Sequence, residues 1–408
     1  DMNLQNNLEN QSWKAFQDRA VCNSSHGNLD YFIRVSPAMK NADKQKWKNV
    51  QLLVHRPGTA VLLSPAAFSI EKMRWWAYLI VSTLTSLCVL GILLLAFSFN
   101  IPSWKAALLS FSVIISPPAV FYANQAFPEI PVAMLLTLSY LLCCSERFCF
   151  HMIACVLLML TPWFSDRAIP AALIFALFCL IQARNNTERS ALFMLILSGA
   201  VILAYYYYNR FGVIWPVHHN PRVSSSFSYI LKGLPGFILD RNRGIIWLSP
   251  MLLFLPSVLY ALYMQHKKFA VFLSFALGLS LINISSFPDW MGGVCPAGRY
   301  GVFFQILSLP AFLFWLKKNR SKKQVLFLSL LLIFGIIETL VLFNHPSWWY
   351  RKYHPLFAIS FLQPLYTFLP DLQNPTYPEI IKALLWSGVF LFILIIPFYN
   401  IKSSMPTR

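Results

Sequence analysis

The stretch WAYLIVSTLTSLCVLGILLLAF, residues 76–97, is apolar from end to end and contains no charged residue. A helix of about 20 such residues is long enough to cross roughly 30 Å of hydrocarbon. A second run, VLFLSLLLIFGIIETLVLF at 325–343, is similarly apolar and contains a single charged residue, a Glu. Comparable segments recur along the chain from residue 73, so one signal peptide does not account for them. These runs predict a polytopic helical membrane protein.

The overall composition supports the same class. Of 408 residues, 57% are hydrophobic and 12% are charged, whereas soluble domains carry about 25% charged residues. The formal net charge is +18, but most of the basic residues lie in short loops between apolar runs. In such loops they act as topology signals and attract anionic lipid. The charge therefore favours membrane lipid over nucleic acid as a partner.

About eleven apolar segments are long enough to be counted as predicted spans. They cover 73–98, 104–124, 128–144, 148–164, 167–184, 190–211, 244–264, 268–285, 300–316, 324–343 and 382–400. The predicted fold class is therefore an all-α polytopic membrane protein, a bundle of about eleven transmembrane helices joined by interfacial loops.

Basic loops give the predicted orientation through the positive-inside rule. The strongest is KKNRSKK at 317–323, followed by HKK at 266–268 and ARNNTER at 183–189. With alternating spans these loops fall on one side, which we take as cytoplasmic. The non-cytoplasmic side then receives every unusual polar stretch of the chain. These stretches are 1–72, 122–129, 162–167, 212–243, 287–300 and 344–381. We therefore expect a catalytic or binding surface on that face.

Two carboxylates stand where predicted spans meet these loops. Glu129 follows Pro128 at the start of a span, and Asp166 lies beside Arg167 in the tight hairpin PWFSDR at 162–167. Glu129 has two interpretations, a helix-capping carboxylate or a functional ionisable group at the membrane boundary. Asp166 and Arg167 likewise form either a local interfacial ion pair or the lining of a polar cavity.

A later loop carries cations suited to phosphate. The stretch GLPGFILDRNRGIIWLSP at 233–250 contains Asp240, Arg241 and Arg243 just before an apolar segment. Two Arg beside a helix start make a candidate phosphate cradle, and the alternative is a basic interfacial collar. His55, in VHRPGTAVLLSPAAF at 54–68, precedes the first span in what reads as an interfacial helix.

The stretch FPDWMGGVCPAGRY, residues 287–300, is the most distinctive loop. Arg299 offers a fork-shaped set of donors that suits phosphate. Asp289 adds a carboxylate, and Trp290 adds a flat apolar face of the kind on which sugars stack. We predict that Arg299 binds a phosphate at the membrane surface, with Arg241 or Arg243 as a second cation.

Taken in order, these motifs resemble a known family. H-x-P-G-x-x-x-L-L-x-P, P-E-x-P, P-W-x-x-x-R, L-D-x-x-x-G-x-x-x-x-S-P and W-x-G-G-x-x-x-x-G-R-Y follow one another up to about residue 300. The set resembles polytopic glycosyltransferases of the GT-C superfamily, relatives of the protein O-mannosyltransferases and the lipid A aminoarabinose transferases. The family's acidic first loop is matched only by its downstream part, with Asp1 at the second acidic position. The helix that precedes this loop in the family is not in the sequence, which predicts either a fragment or a degenerate enzyme.

The resemblance implies a glycosyltransferase that moves a sugar from a polyprenyl-phosphate donor to an acceptor glycan, lipid or protein. The active face would be non-cytoplasmic, in a bacterial inner (plasma) membrane. We predict that the carboxylates of Asp1, Glu129 and Asp166 approach one cavity as the catalytic groups. The predicted substrate-binding residues are His55, Arg167, Asp240, Arg241, Arg243, Asp289, Trp290 and Arg299.

The same resemblance divides the chain into three parts. Residues 1–72 would form a non-cytoplasmic loop with interfacial helices, 73–285 a GT-C-like transmembrane core, and 286–408 a C-terminal transmembrane region. That last region includes the external loops 286–300 and 344–381.

Two other functions stay open at the level of the sequence. One is an inactive member of the same fold that binds lipid or a partner protein, and the other is a transporter or lipid flippase. Transporters usually contain internal repeats, and none is evident in this chain. The eight Cys residues have no metal-ligand spacing, so no cofactor is predicted, although a divalent metal is left open.

Overall fold

A computed structural model gives the structure of most of the chain after residue 72. It describes residues 73–98, 100–123, 127–211, 214, 226–287, 290, 298–318, 322–344, 367–373 and 376–389. Three predicted site residues, Asp1, His55 and Asp289, lie outside this part of the chain, as does the whole predicted segment 1–72.

The described residues form helices and connecting turns, with no strand among them, so the all-α prediction is confirmed for this part of the chain. The first half runs through helices that each pack against sequence neighbours. These are α1 (Met73–Ser98), α2 (Ser103–Ile114), α3 (Ala119–Tyr122), α4 (Glu129–Cys143), α5 (Phe148–Phe164), α6 (Ile169–Gln182) and α7 (Asn186–Phe211), with a 3-10 turn at Asp166–Ala168 between α5 and α6.

The helices of the second half pack against those of the first half. The second-half helices are α8 (Phe227–Leu239), α9 (Ile245–Leu248), α10 (Leu255–Tyr263), α11 (Lys267–Ser285), α12 (Gly301–Lys318), α13 (Lys322–Asn344) and α14 (377–389), with a 3-10 segment at Pro250–Phe254 before α10. Helix α12 is the central one, because almost every described side chain from Val302 to Trp315 is buried.

Two of these helices are long and apolar enough to cross a membrane, at Asn186–Asn209 and Lys267–Ser285. The other apolar stretches of the described helices are shorter, at 10–17 residues, such as Leu79–Leu94 within α1 and Val325–Val341 within α13. Helix α7 exposes large apolar side chains along much of its length. More than half of the surface of Met194, Val201 and Tyr205 is exposed, which is unusual for a contiguous patch on a monomeric soluble protein.

The structure differs from the sequence-based expectation at residues 227–239. We expected a loop throughout 212–243, whereas these residues form helix α8. Ser226 caps the helix, since its hydroxyl accepts from the backbone N–H of Ser228 at 3.3 Å. Glycines let the helix lie close to its neighbours, and this packing outweighs the poor intrinsic helix propensity of the GLPG sequence.

Two predicted spans are interrupted. The segment 104–124 breaks between Ile114 and Ala119 at two consecutive prolines, and 244–264 changes at Ser249–Pro250. Proline cannot donate a helical hydrogen bond. At the first break, Gln305 of α12 supplies the missing partners. Its Oε1 accepts from Ala119 N at 3.1 Å, and its Nε2 donates at 3.1 Å to the carbonyls of Val113 and Pro117.

Helix α8 packs against α11 with almost no space between the backbones. A Cβ on Gly233 would lie 2.2 Å from the carbonyl oxygen of Ser285, and one on Gly236 would lie 2.5 Å from the ring of Trp290. The Trp290 ring is only 3% exposed. The carbonyl oxygen of Ser285 belongs to the backbone, so it cannot move aside as a flexible side chain would.

We therefore expect Gly233→Ala to separate α8 from α11 and to lower the free energy of unfolding by about 1–3 kcal/mol, the usual cost of overpacking. The matched control is Gly278→Ala in α11, where an added Cβ meets nothing within 4 Å. The control is expected to be neutral or slightly stabilising. Thermal melting of the purified variants measures the difference, and equal melting temperatures would contradict the close contact.

Candidate functional site

Glu129 and Arg299 form an ion pair at one end of the bundle. Glu129 is the first residue of α4, and Arg299 lies just before α12, where Gly298 turns the chain with a φ of +75°. The Arg299 Nε donates a hydrogen bond to Glu129 Oε1. The two side chains are 18% and 6% exposed, so the pair is largely withdrawn from solvent.

Arg167 joins the same cluster through aromatic rings. It lies in the 3-10 turn between α5 and α6, with its guanidinium carbon 3.9 Å from the centre of the Tyr300 ring and 4.4 Å from that of Phe287. The guanidinium carbon of Arg299 is 5.5 Å from the same Tyr300 ring and 4.8 Å from that of Phe127. Tyr300 therefore contacts both cations, and aromatic faces attract cations electrostatically.

Two buried polar atoms in this cluster have no hydrogen-bond partner within the described part of the chain. They are Nη1 of Arg167, which can only donate, and Oε2 of Glu129, which accepts when the carboxylate is ionised. Arg167 is 7% exposed and Glu129 is 6% exposed. Leaving such atoms unsatisfied costs about 1–3 kcal/mol each, and more when the group is charged. Unmet groups of this kind are expected where a ligand supplies the missing partner.

Asn283 fixes the turn that carries Arg167. Its side-chain amide donates to the carbonyl of Arg167 at 3.3 Å and, at the limit of hydrogen-bond distance, to that of Asp166 at 3.5 Å. The neighbouring Arg167 contacts Tyr300, which also lies against Arg299, so the turn that contains Asp166 lies at the same end of the bundle as the Arg299–Glu129 pair. Because Asp1 lies outside the described residues, a cavity shared by all three acids stays a prediction.

Asp240 has a different environment from the one expected of a ligand. Its side chain is fully buried, and Oδ1 accepts from the backbone N–H groups of Asn242 and Arg243, both at 2.9 Å. Oδ2 accepts from Leu372 N at 2.8 Å. Burial raises the pKa of the Asp240 carboxyl, and these backbone hydrogen bonds act in the opposite direction. In this structure Asp240 therefore closes a turn and fastens a distant segment to it.

Arg241 belongs to that second cluster. It pairs with Asp371 at 2.6 Å, and its backbone N–H donates to the carbonyl of Pro370 at 2.9 Å. Glu379 accepts from the backbone N–H of Asp371 at 2.5 Å and pairs with Lys382 at 2.7 Å. These contacts extend the cluster into α14.

Arg243 and Trp290 are both buried, at 9% and 3% exposed. Arg243 lies in the turn that Asp240 closes. The Trp290 ring packs against Gly236 of α8, so it contributes to the contact between α8 and the 287–300 loop.

Sequence reasoning selected Glu129, Arg167 and Arg299 but missed the groups that position them. Phe127 and Phe287 carried no signal, because aromatic residues make up 16% of the chain and each is unremarkable alone. Tyr300 ends the G-R-Y motif but was not selected as a site residue. Asn283 lies inside an apolar segment, where a polar amide is itself a usable signal. Asp371 and Glu379 lie in the predicted loop 344–381 and were not selected.

No protein family, curated protein or solved structure matches this chain. Among the described residues, no group of three or more His, Cys, Asp or Glu side chains is arranged to hold a metal ion. The donors and acceptors of the cluster itself therefore indicate which chemistry it can perform.

Proposed function

We propose that the chain is an integral membrane glycosyltransferase of the GT-C type, which transfers a sugar from a polyprenyl-phosphate donor to an acceptor hydroxyl. The observation that carries this proposal is that two buried polar atoms of this cluster have no hydrogen-bond partner among the described residues. Arg167 Nη1 needs an acceptor and Glu129 Oε2 needs a donor. A phosphate satisfies the first atom and a hydroxyl satisfies the second, and glycosyl transfer from a lipid phosphate brings both groups together.

The membrane placement is supported by the surface of the bundle. Apolar side chains are widely exposed on α1, α7, α11 and α13, and the predicted spans between residues 73 and 344 are mostly helical where they are described, with breaks in 104–124 and 244–264. On this proposal α7 and α11 cross the bilayer, the shorter apolar helices are tilted or partial spans, and the total is about eleven. The Arg299 cluster would face the non-cytoplasmic side of a bacterial inner (plasma) membrane.

The proposed roles follow from charge. Arg167 and Arg299 hold the phosphate and stabilise the negative charge that grows on it as the bond to the sugar breaks. Glu129 accepts the proton of the attacking hydroxyl through its second oxygen, as a general base. Its contact with Arg299 holds the carboxylate in place. The new bond joins the acceptor oxygen to the anomeric carbon, and the lipid phosphate leaves with the bonding electrons.

Binding of farnesyl phosphate to the purified protein tests the proposal. We expect the wild-type protein to bind farnesyl phosphate and to bind farnesol, which lacks the anion, at least tenfold more weakly, because one charge-assisted hydrogen bond contributes about 1.5–3 kcal/mol. Arg167→Ala should remove most of this preference. Arg184→Ala is the matched control, since Arg184 pairs with Glu146 on the exposed surface.

Equal affinity of the wild-type protein for farnesyl phosphate and farnesol would reject phosphate recognition. If the phosphate binds but no sugar is transferred from a polyprenyl-phosphate donor, the chain would instead be a lipid-binding member of the same fold.

The interrupted helices favour one second candidate, a lipid flippase. Breaks such as those between α2 and α3 and between α9 and α10 also occur at the binding sites of transporters. Proteoliposomes separate the two functions. A flippase would move a labelled polyprenyl phosphate between leaflets without an acceptor, whereas a transferase would consume the donor only when an acceptor hydroxyl is present.

A further inference from the structure

Arg167 is held in an unusual way. Arg side chains in buried positions are normally fixed by hydrogen bonds to carboxylates or carbonyls, which occupy their donors. Here two aromatic rings, Phe287 and Tyr300, lie against the guanidinium at 4.4 and 3.9 Å, and the Nη1 donor has no hydrogen-bond partner among the residues that the structure describes. The surrounding contacts therefore restrain the group without using that donor.

The backbone of Arg167 is also restrained without the use of its side-chain donors. Asn283 donates to the carbonyl of Arg167 and so leaves the side chain untouched. Asn283 and Phe287 come from the end of α11, whereas Tyr300 directly precedes α12. Two consecutive elements, both far from Arg167 in sequence, thus converge on its guanidinium.

A guanidinium is planar and its donors lie in the plane. A ring stacked on its face limits rotation of that plane, so it decides the direction in which the N–H groups point. We propose that Phe287 and Tyr300 are positioning residues that aim the edge of Arg167 at the substrate phosphate while leaving its Nη1 donor available. This inference rests on the proposed function, because the phosphate is the group to which Arg167 is directed.

The Tyr300 hydroxyl is not needed for this role, since the attraction comes from the ring face. Tyr300→Phe should therefore bind farnesyl phosphate with wild-type affinity. Tyr300→Leu should bind it about tenfold more weakly, the loss expected for one partly desolvated cation–π contact. Phe287→Leu should weaken binding to a similar extent.

Chemical rescue separates positioning from a general loss of structure. In Arg167→Ala the rings remain, and added methylguanidinium can occupy the space between them and the phosphate. We expect methylguanidinium to restore binding of farnesyl phosphate to Arg167→Ala, and to restore less than a tenth as much in Arg167→Ala combined with Tyr300→Leu. Inorganic phosphate, measured in parallel, shows whether the lipid chain is required for recognition.

The results distinguish the two proposals. If the wild-type protein does not prefer farnesyl phosphate over farnesol, the proposed function fails. If it does prefer the phosphate but Tyr300→Leu and Phe287→Leu keep wild-type affinity, the positioning role fails and the proposed function stands. Equal rescue of the single and double variants by methylguanidinium would likewise overturn the positioning role.

Discussion

Replacing Arg299 with alanine is expected to lower sugar transfer on the order of a hundredfold or more, by analogy with the loss of a donor to a developing anion. The structure adds a second effect. Glu129 is 6% exposed, and its Oε1 accepts from Arg299. Without that partner a buried carboxylate is left uncompensated, which costs about 3–5 kcal/mol for a fully buried pair and less for this partly exposed one.

The double variant Arg299→Ala/Glu129→Gln separates these effects. Removing the orphaned charge should restore most of the thermal stability, whereas transfer should stay low because the phosphate has lost a cation and the attacking hydroxyl has lost its general base. Arg299→Lys keeps the charge but not the fork of donors and should recover activity only in part. Melting curves and transfer rates for the three variants are the measurements. Wild-type transfer in the double variant would contradict a role for Arg299 in the reaction.

Replacing Asp240 with alanine is expected to cause the largest loss of stability among the site variants. Three backbone N–H groups, those of Asn242, Arg243 and Leu372, would lose their acceptor. Each buried, unsatisfied group costs about 1–3 kcal/mol, so the total is comparable to the whole stability of a marginal domain. We expect Asp240→Ala to accumulate poorly and to melt well below the wild-type protein.

Asp240→Asn is a sharper test of the same contacts. An Asn side chain keeps one oxygen, which can still accept from Asn242 and Arg243, but its NH₂ group cannot accept from Leu372 N. We expect a smaller loss of stability and faster proteolytic cleavage around residues 367–373. Disruption of the partly exposed Arg241–Asp371 pair by Asp371→Asn is the control and should cost less. Unchanged cleavage in Asp240→Asn would contradict the anchoring role.

Much of the helical pattern could be predicted because apolar runs in this chain are long and sharply bounded. Helix α1 occupies Met73–Ser98, as predicted, and α4 differs from the predicted 128–144 only at its ends. Helix α8 was missed since its sequence contains glycine and proline, and its stability depends on contact with α11 rather than on local propensity.

The site could be predicted only as separate residues. Glu129 and Arg299 were both selected by their position at predicted helix starts, but they are 170 residues apart, and no local pattern encodes their pairing. Asp240 was selected as a ligand because it lies in the L-D-x-x-x-G motif beside Arg241 and Arg243. One of its hydrogen-bond donors is the backbone N–H of Leu372, a partner 132 residues away. Contacts of this kind are set by tertiary packing and leave no trace in a window of sequence.

Gln305 couples α12 to the break between α2 and α3. Its three hydrogen bonds replace those that α2 and α3 cannot make across their break. Gln305 lies on α12, the helix that Arg299 and Tyr300 directly precede. Movement of α12 along its axis would break all three hydrogen bonds in an apolar interior, so α3 is expected to move with α12. We therefore expect α2, α3 and α12 to move together, so that a displacement of Arg299 is transmitted to the break between α2 and α3.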